Sequence, residues 1–224
     1  GVLSEDIDQR DDFKYFERRY AVYGMYRYTA RPWEVQMGVR DEYTEWETCQ
    51  RVKDKLRNKR TDNTLFPSFF VRRDVGEGNA LSLSYTQSIN RPSYQMVNPF
   101  VFHLSETSYK EGNPNLRGEL LYNAALQFVL KSLYVFSLSA LFIDRKINEM
   151  YEQIGERQTR YTLKNDGTTK RLVLYMGIPF TWGVWNCRNN VELSESWYEN
   201  SAKRVNDFGI VLSSFNRFRL SKQF

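Results

Sequence analysis

The sequence predicts an all-β chain. We expect an antiparallel up-and-down meander of about nine or ten strands with barrel curvature, either part of a wall or a small closed β-barrel. Three observations predict this. Apolar and polar residues alternate in short bursts along most of the chain. Aromatics make up 16% of the 224 residues, with 15 Tyr and 15 Phe, and β walls favour such side chains. Tight turns also alternate with longer polar links.

Residues 1–14 are polar and acidic and form a lead-in. Tyr20 to Tyr28 predicts the first strand, and Thr29-Ala30-Arg31-Pro32 a tight turn, because proline fixes φ and disfavours continued pairing. The second strand sets Trp33, Val35, Met37 and Val39 against Glu34, Gln36, Gly38 and Arg40, a clean period of two. A polar connector follows over 47–63, where Val52 and Leu56 are too few apolar residues to anchor a helix. The third strand covers Leu65 to Arg73. Asp74 to Asn79 is a turn with two glycines, and Leu81, Leu83 and Tyr85 open the fourth strand.

A long connector spans 90–117. Leu120, Tyr122, Ala124, Leu126, Phe128 and Leu130 then share one face, and a tight turn at Lys131-Ser132 leads to Tyr134, Phe136, Leu138, Ala140 and Phe142. A polar connector over 145–169 contains a small hairpin around Asn165-Asp166-Gly167. Leu172, Leu174, Met176, Ile178, Phe180 and Trp182 form the next row, Gly183 turns, and Trp185, Cys187, Val191, Leu193 and Trp197 follow. After a connector over 198–204, Phe208, Ile210 and Leu212 open a ninth strand. Phe218, Leu220 and Phe224 suggest a tenth, with Lys222 interrupting the row.

Successive connectors of a meander fall at opposite ends. The tight turns near 29–32, 74–79, 131–132 and 183 therefore share one end, and the links near 47–63, 90–117, 145–169 and 198–204 share the other. Transmembrane barrels have this asymmetry, whereas a Greek-key sandwich has no reason to show it. No run of 18 apolar residues exists, which excludes a transmembrane helix but not a barrel whose strands hide their signal by alternation. The mean hydropathy of −0.62 is uninformative for the same reason.

The chain is long enough for one domain, and we take 1–224 as a single β-barrel segment. We expect no secretory signal in this segment, because Gly1-Val2-Leu3-Ser4-Glu5-Asp6 reads as the start of a mature or trimmed segment with the true start of the gene product upstream. Cys49, in a loop, and Cys187, on an apolar strand face, make no disulfide framework. The net charge is +5. The basic run Arg51 to Arg60 is a solvated loop first and a patch for anionic headgroups or an acidic ligand second. Nucleic acid is not an expected partner, since no reader motif is present and the aromatics are spread through every strand.

Enzyme chemistry is poorly supplied. His103 is the one histidine and lies in the long connector, and Gly76-Glu77-Gly78 is too short to cradle phosphate. Asp41 and Glu42 point to opposite faces of a strand, which argues against joint acid–base work. Glu5, Asp6, Asp8, Asp11 and Asp12 have calcium-binding side chains but suit a solvated tail better. We expect no cofactor and no metal. In the long connector, Arg91, Asn98, Asn113 and Asn115 read first as loop geometry, with Pro92, Pro99 and Pro114 fixing the chain and Arg91 bonding loop carbonyls. The functional alternative is ligand capture at an external mouth, with Tyr94, Phe100 and Tyr109 as contact surface.

The ordered series Ile89-Asn90-Arg91-Pro92-Ser93-Tyr94, Asn98-Pro99-Phe100 and Gly112-Asn113-Pro114-Asn115-Leu116 resembles the outer-membrane β-barrel portion of TonB-dependent receptors, in its Bacteroidetes form. Gly38-Val39-Arg40-Asp41-Glu42-Tyr43-Thr44 and Phe66-Pro67-Ser68 fit the same pattern, and the order holds over most of 13–217. Arg117-Gly118-Glu119 replaces the Lys-Pro pair usual after Asn-Pro-Asn-Leu. The resemblance implies a bacterial outer-membrane location and contact with its lipid. It also implies energy-coupled uptake of a scarce nutrient such as an iron chelate, cobalamin or a glycan. Complete receptors of this kind add a plug domain and contact TonB, and their barrels have about 22 strands. The chain looks like a middle portion of such a receptor or the product of a shortened gene, and the resemblance implies that more strands would normally follow Phe224. The alternative is a soluble β-barrel binding or interaction module whose apolar stripes face inward. A non-transporting adhesin or structural barrel is the third reading.

Overall fold

The computed structural model describes residues 13–50 and 57–219. Thirteen strands and one short helix follow in chain order: β1 (Phe13–Ala30), β2 (Trp33–Gln50), β3 (Arg57–Gly76), β4 (Asn79–Asn90), α1 (Tyr94–Val97), β5 (Val101–Ser105), β6 (Ser108–Glu111), β7 (Glu119–Leu130), β8 (Tyr134–Asp144), β9 (Ile147–Ile154), β10 (Gln158–Asn165), β11 (Thr168–Trp182), β12 (Trp185–Glu199) and β13 (Arg204–Phe218). Nine of them form one antiparallel sheet in the order β1-β2-β3-β4-β7-β8-β11-β12-β13, and the other four form a second sheet, β5-β6-β10-β9. The large sheet is the meander expected from the alternation. Its edges β1 and β13 do not pair with each other, so among the described residues the wall is open and not a small closed barrel.

Side chains directly opposite one another share a face. The register therefore carries one row across all nine strands: Tyr28, Val35, Val71, Leu83, Leu126, Leu138, Leu174, Leu193 and Ile210. Every member is apolar or aromatic. The neighbouring row on the other face runs Arg27, Gln36, Phe70, Ser84, Ala125, Ser139, Val173, Ser194 and Gly209, which is mostly small or polar. The Trp33-to-Val39 and Leu172-to-Trp182 rows thus lie on one surface. Among the described residues nothing covers it: Val22 is 78% exposed, Leu212 72% and Trp182 77%. An inward-facing stripe would be buried in a core. This one is open, as a lipid-facing stripe must be.

The tight turns have the expected chemistry. Gly76, Glu77 and Gly78 have φ of 88°, 52° and 75°. Lys131 and Ser132 both have φ above 50° without being glycine. They hold that conformation through lateral bonds to the neighbouring turn, with the Ser132 amide donating to the Gly78 carbonyl at 2.6 Å and the Lys131 amide to Asn79 Oδ1 at 2.8 Å.

Several connectors prove to be structured. The polar stretch 47–63 is mostly strand, because β2 continues to Gln50 and β3 starts at Arg57. Val52 and Leu56 lie outside the described residues. β1 starts at Phe13, inside the expected lead-in. Cys49 sits in β2 opposite Lys14 and Arg57, not in a loop. The link after β12 shrinks to residues 200–203, and the ninth strand runs unbroken to Phe218, which pairs with Trp185 instead of opening a tenth. Leu220 and Phe224 lie outside the described residues.

Strand length explains these differences. At about 3.3 Å per residue the 18 residues of β1 and β2 reach about 60 Å, whereas a tilted strand needs only about 9–11 residues to cross a bilayer. The surplus lies at the long-loop end. There the outer face turns charged, with Arg18, Glu45, Glu47, Arg57 and Lys59 above a Tyr20–Tyr43 ring pair at 6.4 Å. That pair marks the upper limit of the apolar band. At the short-turn end, Trp182, Trp185, Phe218, Tyr28, Trp33 and Tyr134 mark the lower one, in the manner of aromatic girdles.

Candidate functional site

The long connectors fold into a cap. β5 pairs with β6, β6 runs parallel to β10, and β10 pairs with β9, so the 91–118 and 145–167 connectors build one sheet together. The expected hairpin lies at 147–165, and Asn165-Asp166-Gly167 instead links that hairpin to β11. The cap's core contains Val97, Leu116 and Leu163 with Phe13, and Tyr15 and Ile147 pack against it. Phe13 and Tyr15 point from the polar face of β1, the face opposite the lipid stripe. The cap therefore packs against the hollow side of the wall, at its long-loop end.

The residues singled out from the sequence hold this cap together. Asn113 is the hub: its amide donates to the Met96 carbonyl at 2.8 Å, its Nδ2 to the Leu163 carbonyl at 2.8 Å, and its Oδ1 accepts from the Asn115 amide at 2.9 Å. Pro114 and Asn115 carry the chain round to Leu116, which is 2% exposed. Asn58 Nδ2 donates to Asn115 Oδ1 at 3.0 Å, tying the turn to β3. The Asn98 side chain accepts from the Phe100 amide at 3.1 Å, turning the chain through Pro99. The Tyr94 ring lies 5.4 Å from Phe13, and its hydroxyl donates to the Phe13 carbonyl at 3.0 Å. Pro92 and Val97 are buried.

Gly112 is required for a steric reason. A Cβ there would meet the Asn98 carbonyl at 2.3 Å and the Met96 carbonyl at 2.8 Å, both backbone atoms. We expect Gly112→Ala to loosen the cap at a cost of about 1–3 kcal/mol. Limited proteolysis would show this as faster cleavage within 91–118, and unchanged cleavage would refute it.

Two buried carboxylates that the sequence reasoning missed anchor the cap to the wall. Glu42, 3% exposed on the polar face of β2, accepts from Arg91 and from Arg40. Arg91 Nε also lies 3.6 Å from Glu17 Oε1. Arg91 thus bridges to wall carboxylates, not to loop carbonyls. Glu119, 4% exposed, accepts from Asn90 Nδ2 and the Ile147 amide, each at 2.8 Å, and pairs with Lys146 Nζ at 3.1 Å. The available signal was Glu42's place on the polar face of a strongly alternating strand.

The expected contact surface is redistributed. Phe100 and Tyr109 are half-buried, and Tyr94 leans on Phe13. The most exposed aromatics of the cap are Phe102 and Tyr151, with Tyr94 next and Tyr151 edge-on to Tyr161 at 5.0 Å. His103 faces Tyr109 at 6.1 Å. No cluster of three or more His, Cys, Asp or Glu suited to a metal occurs among the described residues. The acidic residues of 1–12 lie outside them.

An ion cluster closes the outer edge of the cap. Arg160 pairs with Glu152 at 2.5 Å and Glu111 at 3.4 Å, and Lys164 also holds Glu152. The Lys164 and Arg160 bonds pull the Glu152 carboxyl below its usual range. A lowered carboxyl pKa adds stability that is present above the unfolded value and lost as pH falls through the folded one. We expect the β9–β10 hairpin to exchange its amides faster as pH drops below about 4, with Glu152→Gln abolishing that dependence. The effect is modest because the partners of this ion cluster are partly exposed and screened by solvent.

An amphipathic antiparallel wall, with an open apolar face and a polar face carrying a folded loop cap, defines an outer-membrane barrel. The chain belongs to the outer membrane protein beta-barrel family, whose model matches residues 1–224. It is a bacterial outer-membrane protein. The FrpB iron transporter from Neisseria meningitidis (F3-3 variant) has a similar fold, with a TM-score of 0.57 at 14% identity over 86% of this chain and 28% of that one. The copper transporter OprC has a TM-score of 0.60 at 10% identity over 93% of this chain and 40% of that one. The chain thus spans well under half of either protein. No curated protein matches.

Proposed function

We propose that this chain forms part of the wall of a TonB-dependent receptor that imports a scarce nutrient, with a metal chelate ahead of cobalamin or a glycan. The observation that carries the reading is the cap over the polar face: it sets a folded, ligand-sized surface where a solute enters from outside. The iron and copper transport named for the two structural neighbours supports a metal-bearing ligand. Phe102 and Tyr151 offer it flat apolar contact, and Lys110, paired with Glu149 at 2.8 Å, offers a cation nearby. The motif residues Asn90, Arg91, Pro92, Tyr94, Asn98, Pro99, Phe100, Gly112, Asn113, Pro114 and Leu116 hold that surface in place. In the complete receptor a plug domain would fill the hollow against the polar face, and TonB would act on the plug.

The test is uptake in cells lacking the gene. Accumulation of labelled ferric or cupric chelates should fall several-fold on deletion and equally on loss of TonB. Double substitution of Phe102 and Tyr151 by Ala should weaken binding while leaving barrel assembly intact. Uptake independent of both the gene and TonB would sink the proposal.

A further inference from the structure

We propose that the lipid-facing surface carries a specific site for one phosphate-bearing lipid of the outer leaflet, in a groove across β4, β7, β8, β11 and β12. The site rests on outer-membrane membership and not on the transport reading.

The groove follows from the register. Ala124 lies directly opposite Ala140, with Tyr85 beyond Ala124 and Leu172 beyond Ala140. Two adjacent methyl side chains in a row of large ones leave a trough. Directly above, the stacked Tyr122–Phe142 pair at 5.7 Å forms one wall, and Trp197 stands at the far end. The groove holds about 370 Å³ and is almost wholly apolar, within the range of small-ligand clefts, about 300–1,000 Å³. Bulk acyl chains wet any smooth apolar wall, but a trough with aromatic sides holds one chain in place.

The charge at the upper end selects the headgroup. Lys170 pairs in register with Phe142 on one side and Trp197 on the other, so it crowns the groove. It is the thirteenth residue counted from Trp182 at the short-turn end, just beyond the about 9–11 residues that cross a bilayer. Above it, Trp197, Glu199 and Arg204 border a second hollow of about 480 Å³ that shares Lys170 and Trp197 with the groove. Glu199 holds Arg204 at 2.6 Å. Glu199 also feels the Lys170 charge, and Glu195 sits opposite Leu172 on the same face, but among the described residues no carboxylate lies within ion-pair distance of the Lys170 ammonium. A lysine crowning an apolar trough at headgroup height is complementary to an anionic phosphate on a diacyl lipid. This end of the wall carries the cap, and the longer loops of such barrels face outward, which assigns the outer leaflet.

The experiment uses the intact protein extracted from the outer membrane in mild detergent. Native mass spectrometry follows its exchange with phosphatidylglycerol or with an uncharged diacyl galactolipid of equal chain length. We expect one phosphatidylglycerol per protein, retained at least tenfold more tightly than the galactolipid. Ala140→Phe should fill the trough and Lys170→Met should remove the crown, each reducing retention at least tenfold. If Ala140→Phe fails to assemble, Lys170→Met carries the test alone. Equal retention of both lipids, or retention unchanged by Lys170→Met, would overturn the site. So would full competition by inorganic phosphate alone, which would mean a simple anion site, or a dimer in place of the lipid adduct, which would make the groove a contact between copies.

Discussion

Replacing Leu126 with arginine should abolish accumulation of the folded protein in the outer membrane, whereas Gln127→Arg should leave it nearly unchanged. The two residues are neighbours in β7, so strand and distance from the loops are matched. They differ in face. Leu126 belongs to the apolar row that runs from Tyr28 to Ile210, and is the fifth residue counted from Leu130 at the short-turn end of β7, about half of the 9–11 that cross a bilayer. Gln127 lies on the polar face beside Ser82 and Ser137. A charged side chain at the bilayer midplane costs about 2–4 kcal/mol on a lipid-facing barrel position and far less on the lumen side. Heat-modifiable mobility on gels of outer-membrane fractions measures the outcome. Equal tolerance of both variants would mean that the stripe does not meet lipid, and would revive the soluble alternative. Equal loss of both would mean that the polar face is buried against something the chain does not show.

The nine wall strands were legible because the bilayer imposes a strict period of two. Each of Leu120 to Leu130, Tyr134 to Phe142 and Leu172 to Trp182 repeats that period five times or nearly so. The signal vanishes where lipid ends. Lys14 to Arg18, Glu45 to Cys49 and Arg57 to Thr61 are paired strands with charged or polar residues on both faces, held by backbone bonding that extends the ladder below. Hydropathy does not register pairing, so these stretches resembled connectors. The cap failed for a related reason. Its strands are four to eight residues long, and one of its pairings is parallel between segments far apart in sequence. Its core draws single apolar residues from distant places: Phe13, Val97, Leu116, Leu163. The motif residues were visible from the sequence, but their bonding was not. Asn113 resembled a turn former, and only the fold shows that it also grips the Leu163 carbonyl.

Arg91→Ala should free the cap from the wall. Glu42 is 3% exposed, and its carboxylate is held by two arginines, Arg40 from the same strand and Arg91 from the motif. Arg40 lies two residues away on β2 and remains after the substitution, so it neutralises part of the charge but crosses no boundary between cap and wall. Arg91 does cross it, and at 3.6 Å its Nε also reaches Glu17 on β1. Removing one partner of a buried pair typically costs about 3–5 kcal/mol because the other charge is left without compensation. With Arg40 still present we expect the lower end, about 3 kcal/mol. That cost falls on cap docking and not on the transmembrane band, so barrel assembly should survive. Limited proteolysis should cut 91–118 much faster in Arg91→Ala, with heat-modifiable mobility unchanged. Pairing Arg91→Gln with Glu42→Gln should recover part of the loss, since an amide pair retains a hydrogen bond and removes the buried charge. A double variant no better than Arg91→Ala alone would mean that Arg91 supports the cap through its packing beside Pro92 instead of through Glu42. In that case the carboxylate belongs to the wall's own polar face, and the cap would be held by Glu119, by the Asn58–Asn115 and Tyr94–Phe13 bonds and by its apolar core.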